Sequence, residues 1–175
     1  MRYLITGGAG FIGSHLADRL IADGHEVDVY DNLSTGSLEN IRRHLDHPRF
    51  TLRIGDILDM ERMRPLAERA DRIVHLAAAV GVRLIMEKPV ETITTNVGGT
   101  EVVLKLASER ELPVLIASTS EVYGKLQDTE DGLSSLAEDS DWRLGPTSKR
   151  RWAYACSKAM DEFLALAYAA AQQLP

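Results

Sequence analysis

The chain has 175 residues, 45% of them apolar, which suits one domain with a buried core. Its formal charge is -6, with acidic and basic residues mixed throughout; this excludes a groove for nucleic acid but not a site for a small anionic ligand. A single cysteine, Cys156, excludes an internal disulfide framework, and no apolar run approaches the roughly 18 to 20 residues that cross a bilayer. The expected setting is reducing and cytoplasmic, without membrane or nucleic-acid partners.

The N-terminus enters a strand at once and shows no basic region followed by an apolar signal core. In chain order, the pattern predicts strand Arg2–Thr6, helix Phe11–Asp23, strand Glu26–Tyr30, helix Leu38–Leu45 and strand Phe50–Ile54. It continues with helix Met60–Glu68, strand Arg72–Leu76, helix Pro89–Glu111, strand Val114–Ser118 and helix Arg151–Gln173. Short apolar runs alternating with helical patterns indicate βαβ units, hence an α/β, Rossmann-like, doubly wound parallel sheet. In the last helix Ala153, Cys156, Met160, Phe163, Leu164 and Ala167 fall at steps of three and four and form one apolar stripe. The stretch 125–148, rich in Ser, Gly, Asp and Glu, reads as an excursion loop. Five strands are one short of the six of a complete dinucleotide fold. The expectation is therefore one dinucleotide-binding domain over 1–175, truncated before the sixth strand and a substrate-binding domain.

The first strand runs into Thr6-Gly7-Gly8-Ala9-Gly10-Phe11-Ile12-Gly13, a GxxGxxG loop opening a helix. Gly7 permits the tight turn, Gly10 lets backbone amides approach a pyrophosphate, and Gly13 lets helix and strand pack closely. The helix then directs its positive end at the phosphates. Asp31, 18 positions after Gly13 at the end of the second strand, is placed for the adenosine ribose hydroxyls. A carboxylate there repels a 2′-phosphate, so NAD is expected rather than NADP.

With these residues in view, the chain resembles the extended short-chain dehydrogenases, the NAD-dependent epimerase/dehydratase family. Thr6–Gly13 is similar to the family's opening, Asp31-Asn32 to its ribose-binding pair, and Gly55-Asp56-Ile57 to the segment that holds adenine. His75-Leu76-Ala77-Ala78 resembles the strand end beside the cofactor, and Asn96 the family's structural asparagine. The resemblance implies cofactor contacts from Ser118, and a homodimer through the helices at 89–111 and 151–173.

Tyr154-Ala155-Cys156-Ser157-Lys158 places Tyr and Lys one turn apart on one helix face. A neighbouring ammonium and the oxidised nicotinamide favour the phenolate, so Tyr154 is expected as the base that accepts a sugar hydroxyl proton, with its pKa lowered by Lys158. Lys158 is also expected to hold the nicotinamide ribose. The resemblance makes Thr119 the hydroxyl that passes the proton to Tyr154, and adds Ser120 and Glu121 as substrate neighbours, Glu121 with a possible acid–base role. Family 4,6-dehydratases resemble Thr-Asp-Glu here; Ser120 replaces the acid, which argues against dehydration.

The segment Ala79-Val80-Gly81-Val82-Arg83 resembles the loop of nucleotide-sugar 4-epimerases, with Val80 and Arg83 toward substrate. The run Lys149-Arg150-Arg151 reads either as a solvated helix start or as an attractor for a diphosphate. The histidines show no ligand spacing, so no metal is expected. The favoured activity is a UDP-glucose or UDP-glucuronate 4-epimerase working through transient C4 oxidation. The alternatives are a UDP-glucuronate decarboxylase and an NAD-binding fragment without turnover.

Overall fold

Short runs rich in Val, Ile and Leu are buried on both faces when helices cover both sides of a parallel sheet. The computed structural model, which describes residues 1–125, 137–172 and 174, has this arrangement. Its strands are β1 (Arg2–Thr6), β2 (Glu26–Asp31), β3 (Phe50–Ile54), β4 (Arg72–His75) and β5 (Val114–Ile116). All pair in parallel, in the order β3-β2-β1-β4-β5, as a Rossmann-like sheet requires. Thr6 pairs with both Tyr30 and His75, so β1 is central and the strand order reverses between β1 and β4.

The helices are α1 (Phe11–Ala22), α2 (Leu38–Ile41), α3 (Met60–Ala67), α4 (Val82–Glu87), α5 (Pro89–Ile93), α6 (Gly99–Ser108) and α7 (Trp152–Gln172). Alternation along the strands feeds two cores. Ile5, Val27, Val29 and Val74 pack with Ala17 and Ile21 on one face, while Leu4, Tyr30 and Ile73 pack with Met63, Leu66, Val103 and Leu104 on the other. Each fully buried Leu or Ile contributes about 1.5–3 kcal/mol. On β2, Asp28 is nearly sealed, and Arg69 answers its charge with a two-pronged contact, Nε to Oδ2 at 2.8 Å.

Several boundaries differ from expectation. The ladders of β4 and β5 close at His75 and Ile116, although backbone pairing runs one residue further on each, Leu76 to Thr6 at 3.1 Å and Ala117 to His75 at 3.1 Å. The expected second helix ends as α2, with residues 42–44 tightening into a 3-10 turn. The expected helix Pro89–Glu111 is three pieces, α5, a π-helical segment Thr94–Gly98, and α6, and it is preceded by α4, which periodicity did not reveal. A Cβ on Gly98 or Gly99 would stand 2.9 Å from Leu58 or Ile57, so this helix approaches the β3–α3 connection more closely than side chains allow. The wider π turn turns Asn96 inward, where it is 1% exposed. Of the expected excursion loop, 126–136 lie outside the described residues, as do 173 and 175.

The apolar stripe of the last helix faces the other way from what amphipathicity suggests. Cys156, Met160, Phe163 and Ala167 are exposed, Phe163 at 63%. The inward face carries Tyr154, Ala155 and Ala159 together with the polar Ser157, Lys158 and Asp161. Polar groups displace apolar ones here because they meet polar partners from the sheet and from α6.

Next to Thr100 stands His75, 2% exposed, whose Nδ1 lies 2.7 Å from Thr6 Oγ1 and whose Nε2 lies 3.1 Å from Thr100 Oγ1. Burial, and to a smaller degree the Lys158 charge, pushes its imidazole down from 6.5 to about 3. The unfolded chain takes up this proton first, so the stability is fully present above pH 6.5 and is lost as pH falls toward 3. The slope is on the order of 1.4 kcal/mol per pH unit from this group. His75→Gln should flatten that part of the acid limb in urea unfolding measured against pH; an equally steep limb in the variant contradicts the assignment.

Candidate active site

The turn after β1 is set by Gly7, whose φ of +71° favours glycine, and whose amide donates to Tyr30 O at 2.9 Å. A Cβ on Gly7 would meet Ala77 N at 2.7 Å, so β1's exit lies directly against β4's exit. A Cβ on Gly13 would come within 2.6 Å of Gly8 Cα, which is the close packing of α1 on the turn. Gly10 caps α1 without a side-chain hydrogen bond, and the first turn holds no acidic residue. The first amides of α1 are thus left for an anion, with the positive end of a 12-residue helix behind them. Exposed Phe11 (78%) and Ile12 (66%) flank this entrance.

From here an open cleft of about 1210 Å³ crosses the carboxyl ends of the strands at the point where their order reverses. This exceeds the roughly 300–1,000 Å³ usual for a small-ligand pocket and accommodates an extended molecule. Gly7, Gly10 and Gly13 line it beside Asp31 and Asn32; Asp56 and Ile57 come from the β3 exit, and Leu76, Ala77, Ala78 and Val80 from that of β4. Asp31 is 8% exposed, and its carboxylate accepts from Ala9 N at 2.9 Å and Leu33 N at 2.8 Å. It therefore ties β2 to the glycine loop, and each oxygen keeps a lone pair for a ribose hydroxyl. Asp56 accepts from Leu58 N at 2.9 Å, and Ile57 is a core residue facing Gly99.

Ser118, Tyr154 and Lys158 close the far end. Ser118 hydrogen-bonds Glu162. Thr119 caps a 3-10 turn over Ser120–Tyr123 by accepting from Glu121 N at 3.3 Å, and its side chain stands close enough to Tyr154 to favour the phenolate. Asn96 works from behind the cleft: Oδ1 accepts from Ala79 N at 2.7 Å, and Nδ2 donates to Ser157 Oγ at 3.0 Å. Ser157 in turn donates to Tyr154 O at 2.8 Å, which ties the reactive turn of α7 to the π segment.

Three expectations need correction. Tyr154 is 8% exposed, and burial pushes its phenol up, not down; the Glu121 charge adds to this, the Thr119 hydroxyl opposes it, and Asp161 raises it further. Lys158 does not offset this rise, because its ammonium donates to Asp161 Oδ2 at 2.7 Å, with both side chains below 5% exposure. Arg83 is not part of the cleft: its side chain is 88% exposed and pairs with Glu87 at 3.0 Å. Thr119, Ser120 and Glu121 also lie outside the lining. In the basic run before α7, Arg151 stacks on Trp152 at 4.9 Å and Arg150 donates to Met86 O at 3.4 Å.

The residues missed by sequence reading are Ser34, Thr35, Thr94 and Thr95 in the lining, and Thr100 and Asp161 behind it. Asp161 stands three residues after Lys158, a spacing at which opposite charges share a helix face, so it was legible in principle. Among the described residues no group of three or more His, Cys, Asp or Glu could hold a metal.

The sequence model of the GDP-mannose 4,6 dehydratase family matches residues 4–175. The chain belongs to this family. Its members form the NAD-dependent epimerase and dehydratase branch of the short-chain dehydrogenases, as the glycine loop and the Tyr-x-x-x-Lys motif implied. Among curated relatives, a UDP-N-acetyl-alpha-D-glucosaminuronate decarboxylase of Bacillus cytotoxicus is 44% identical over 96% of this chain and 50% of its own length. Among solved structures, the dTDP-glucose 4,6-dehydratase DesIV of Streptomyces venezuelae, crystallised with NAD, superposes with a TM-score of 0.86 at 34% identity. That match covers 99% of this chain and 53% of DesIV. A UDP-glucose 4-epimerase from Brucella ovis, also with NAD, gives a TM-score of 0.81 at 31% identity, covering 99% of this chain and 49% of that one. The chain thus spans about half the length of these relatives.

The residues fit NAD, the cofactor of this family: the uncapped α1 amides suit the pyrophosphate and Asp31 suits an unphosphorylated ribose. NAD should bind at least about tenfold more tightly than NADP, a difference of about 1.4 kcal/mol, in isothermal titration calorimetry. Equal affinities would remove Asp31 from the ribose.

Proposed function

We propose that the protein is an NAD-dependent enzyme that oxidises C4 of a UDP-linked uronic acid, after which the carboxyl group at C5 leaves as carbon dioxide. The observation that carries this reading is one continuous cleft that runs from an anion-ready helix end to Tyr154, with Lys158 beside it. NAD, when bound, accepts a hydride from C4 and later returns it. Tyr154 accepts the C4 hydroxyl proton, through or beside Thr119, and gives it back when the ketone is reduced. Lys158 lies at the same end of the cleft and would hold the nicotinamide ribose of a bound NAD. A 4-ketouronate is a β-keto acid, which loses its carboxyl group without a dedicated acid–base pair, and Ser120 in place of an acid is consistent with that.

Similarity to the Bacillus cytotoxicus decarboxylase supports this outcome over the 4-epimerase favoured by the sequence alone. The epimerase remains the second reading, supported by the epimerase-like stretch 79–83 and by Val80 lining the cleft. It shares the first oxidation and differs only in rotating the keto-sugar before reduction. Residues 1–175 act as the NAD-binding domain, with the sugar portion held by a domain corresponding to the part of the relatives that this chain does not match. A homodimer is supported by the exposed apolar stripe of α7 together with Ile93 on α5. No helix among the described residues is long and apolar enough to cross a membrane. The lone, unpaired Cys156 supports a cytoplasmic setting.

The test is proton NMR of the full-length protein with NAD and, in separate tubes, UDP-glucuronate, UDP-N-acetylglucosaminuronate and UDP-glucose. A pentose product with released carbon dioxide is expected from a uronate. An inverted C4 coupling pattern would establish the epimerase instead, and no change with any sugar would leave an NAD-binding fragment without turnover. Tyr154→Phe should reduce turnover by at least about a hundredfold and leave NAD affinity within error of the parent.

A further inference from the structure

Behind the far end of the cleft lies a chain of buried polar groups that the proposed chemistry does not use. Asp161 is 1% exposed and carries the Lys158 ammonium on Oδ2 at 2.7 Å. Its other oxygen, Oδ1, is buried and makes no hydrogen bond of standard geometry among the described residues. Burial pushes the Asp161 carboxyl above its ordinary value, and Lys158 and, more weakly, Thr100 oppose that rise. Thr100 is itself 3.1 Å from His75 Nε2, and His75 Nδ1 is 2.7 Å from Thr6 Oγ1, which also accepts from Ala77 N at 3.3 Å. One tautomer suits the imidazole: Thr6 donates to Nδ1 and Nε2–H donates to Thr100, while Asp161 Oδ1 is left without a hydrogen bond.

We propose that Asp161 is a positioning residue of this site, clamping the Lys158 ammonium behind Tyr154 within the buried polar layer that also holds Thr6, His75 and Thr100. The proposal rests on the reading of Tyr154 and Lys158 as the reacting pair. A buried carboxylate is costly without a partner, and here its desolvation is met by the Lys158 ammonium. The arrangement makes the phenol answer to Asp161. The charged groups that face Tyr154 are Glu121, from the turn after β5, and Asp161, on its own helix. Those that face the Lys158–Asp161 pair are His75, neutral at working pH, and Glu162. The Asp161 charge disfavours the phenolate, so the clamp holds Tyr154 as a phenol until cofactor and substrate arrive.

The experiment follows the ultraviolet absorbance of the Tyr154 phenolate against pH in the full-length protein, subtracting the Tyr154→Phe variant made in each background. Asp161→Asn should lower the midpoint by about one pH unit, because a negative charge close to the phenol is removed. An unchanged or raised midpoint in a folded Asp161→Asn protein overturns the proposal. Should a lone buried ammonium prevent folding, Asp161→Asn combined with Lys158→Met removes both charges, a change that buried pairs commonly tolerate. There the two lost charges act on the phenol in opposite senses, so the midpoint should stay within about half a pH unit of the parent, and a shift of a full unit overturns the proposal. The titration needs no substrate, so a protein without turnover would sink the uronate reading and leave this result intact.

Discussion

The close approach of β1's exit to β4's exit, possible only because Gly7 has no side chain, is the constraint on which the rest of the site depends. A Cβ there would collide with the backbone of Ala77 at 2.7 Å and would also have to adopt a φ of +71°. With the two exits in contact, the strand order reverses beside the turn, and α1 starts directly beneath the point of reversal. Gly13 then lets α1 lie against the same turn, so the uncapped helix end and the Ala77-Ala78 backbone face one cleft. Asp31 completes the frame from β2 by accepting from Ala9 within the loop.

The opposite wall has a different basis. Most amphipathic helices bury apolar residues, yet α7 turns Ser157, Lys158 and Asp161 inward and leaves Met160 and Phe163 outside. Buried charge destabilises unless it is paired; Lys158 and Asp161 pair with each other, while Ser157 is met by Asn96 from the π segment. The π turn has a purpose in this light. A regular helix would carry Asn96 past the position from which it bridges Ala79 N to Ser157 Oγ.

These two walls were legible in the sequence to different degrees. The glycine loop, the five strands and Asp31 could be read because their constraints are local: a turn that demands glycine, a run that demands burial, an acid at a strand end. Tyr154 and Lys158 could be read as a motif, but the state of the tyrosine could not. Its phenol is raised by burial and by Glu121, and the ammonium expected to lower it is engaged by Asp161. The stripe on α7 misled because periodicity identifies an apolar face without saying whether it meets the core or another surface. Helix α4 and the π segment were hidden because both follow from tertiary fit, the latter from Gly98 and Gly99 pressed against Leu58 and Ile57.

The central claim is that chemistry begins at C4 with a hydride that leaves the sugar and returns to it inside one cleft. The most direct test is turnover of a UDP-uronate carrying deuterium at C4, with the label located in the product by mass spectrometry and NMR. The account predicts that the deuterium is retained at C4, having passed through the cofactor shielded from water. Loss of the label to solvent, or turnover that continues after bound NAD is removed, would contradict it.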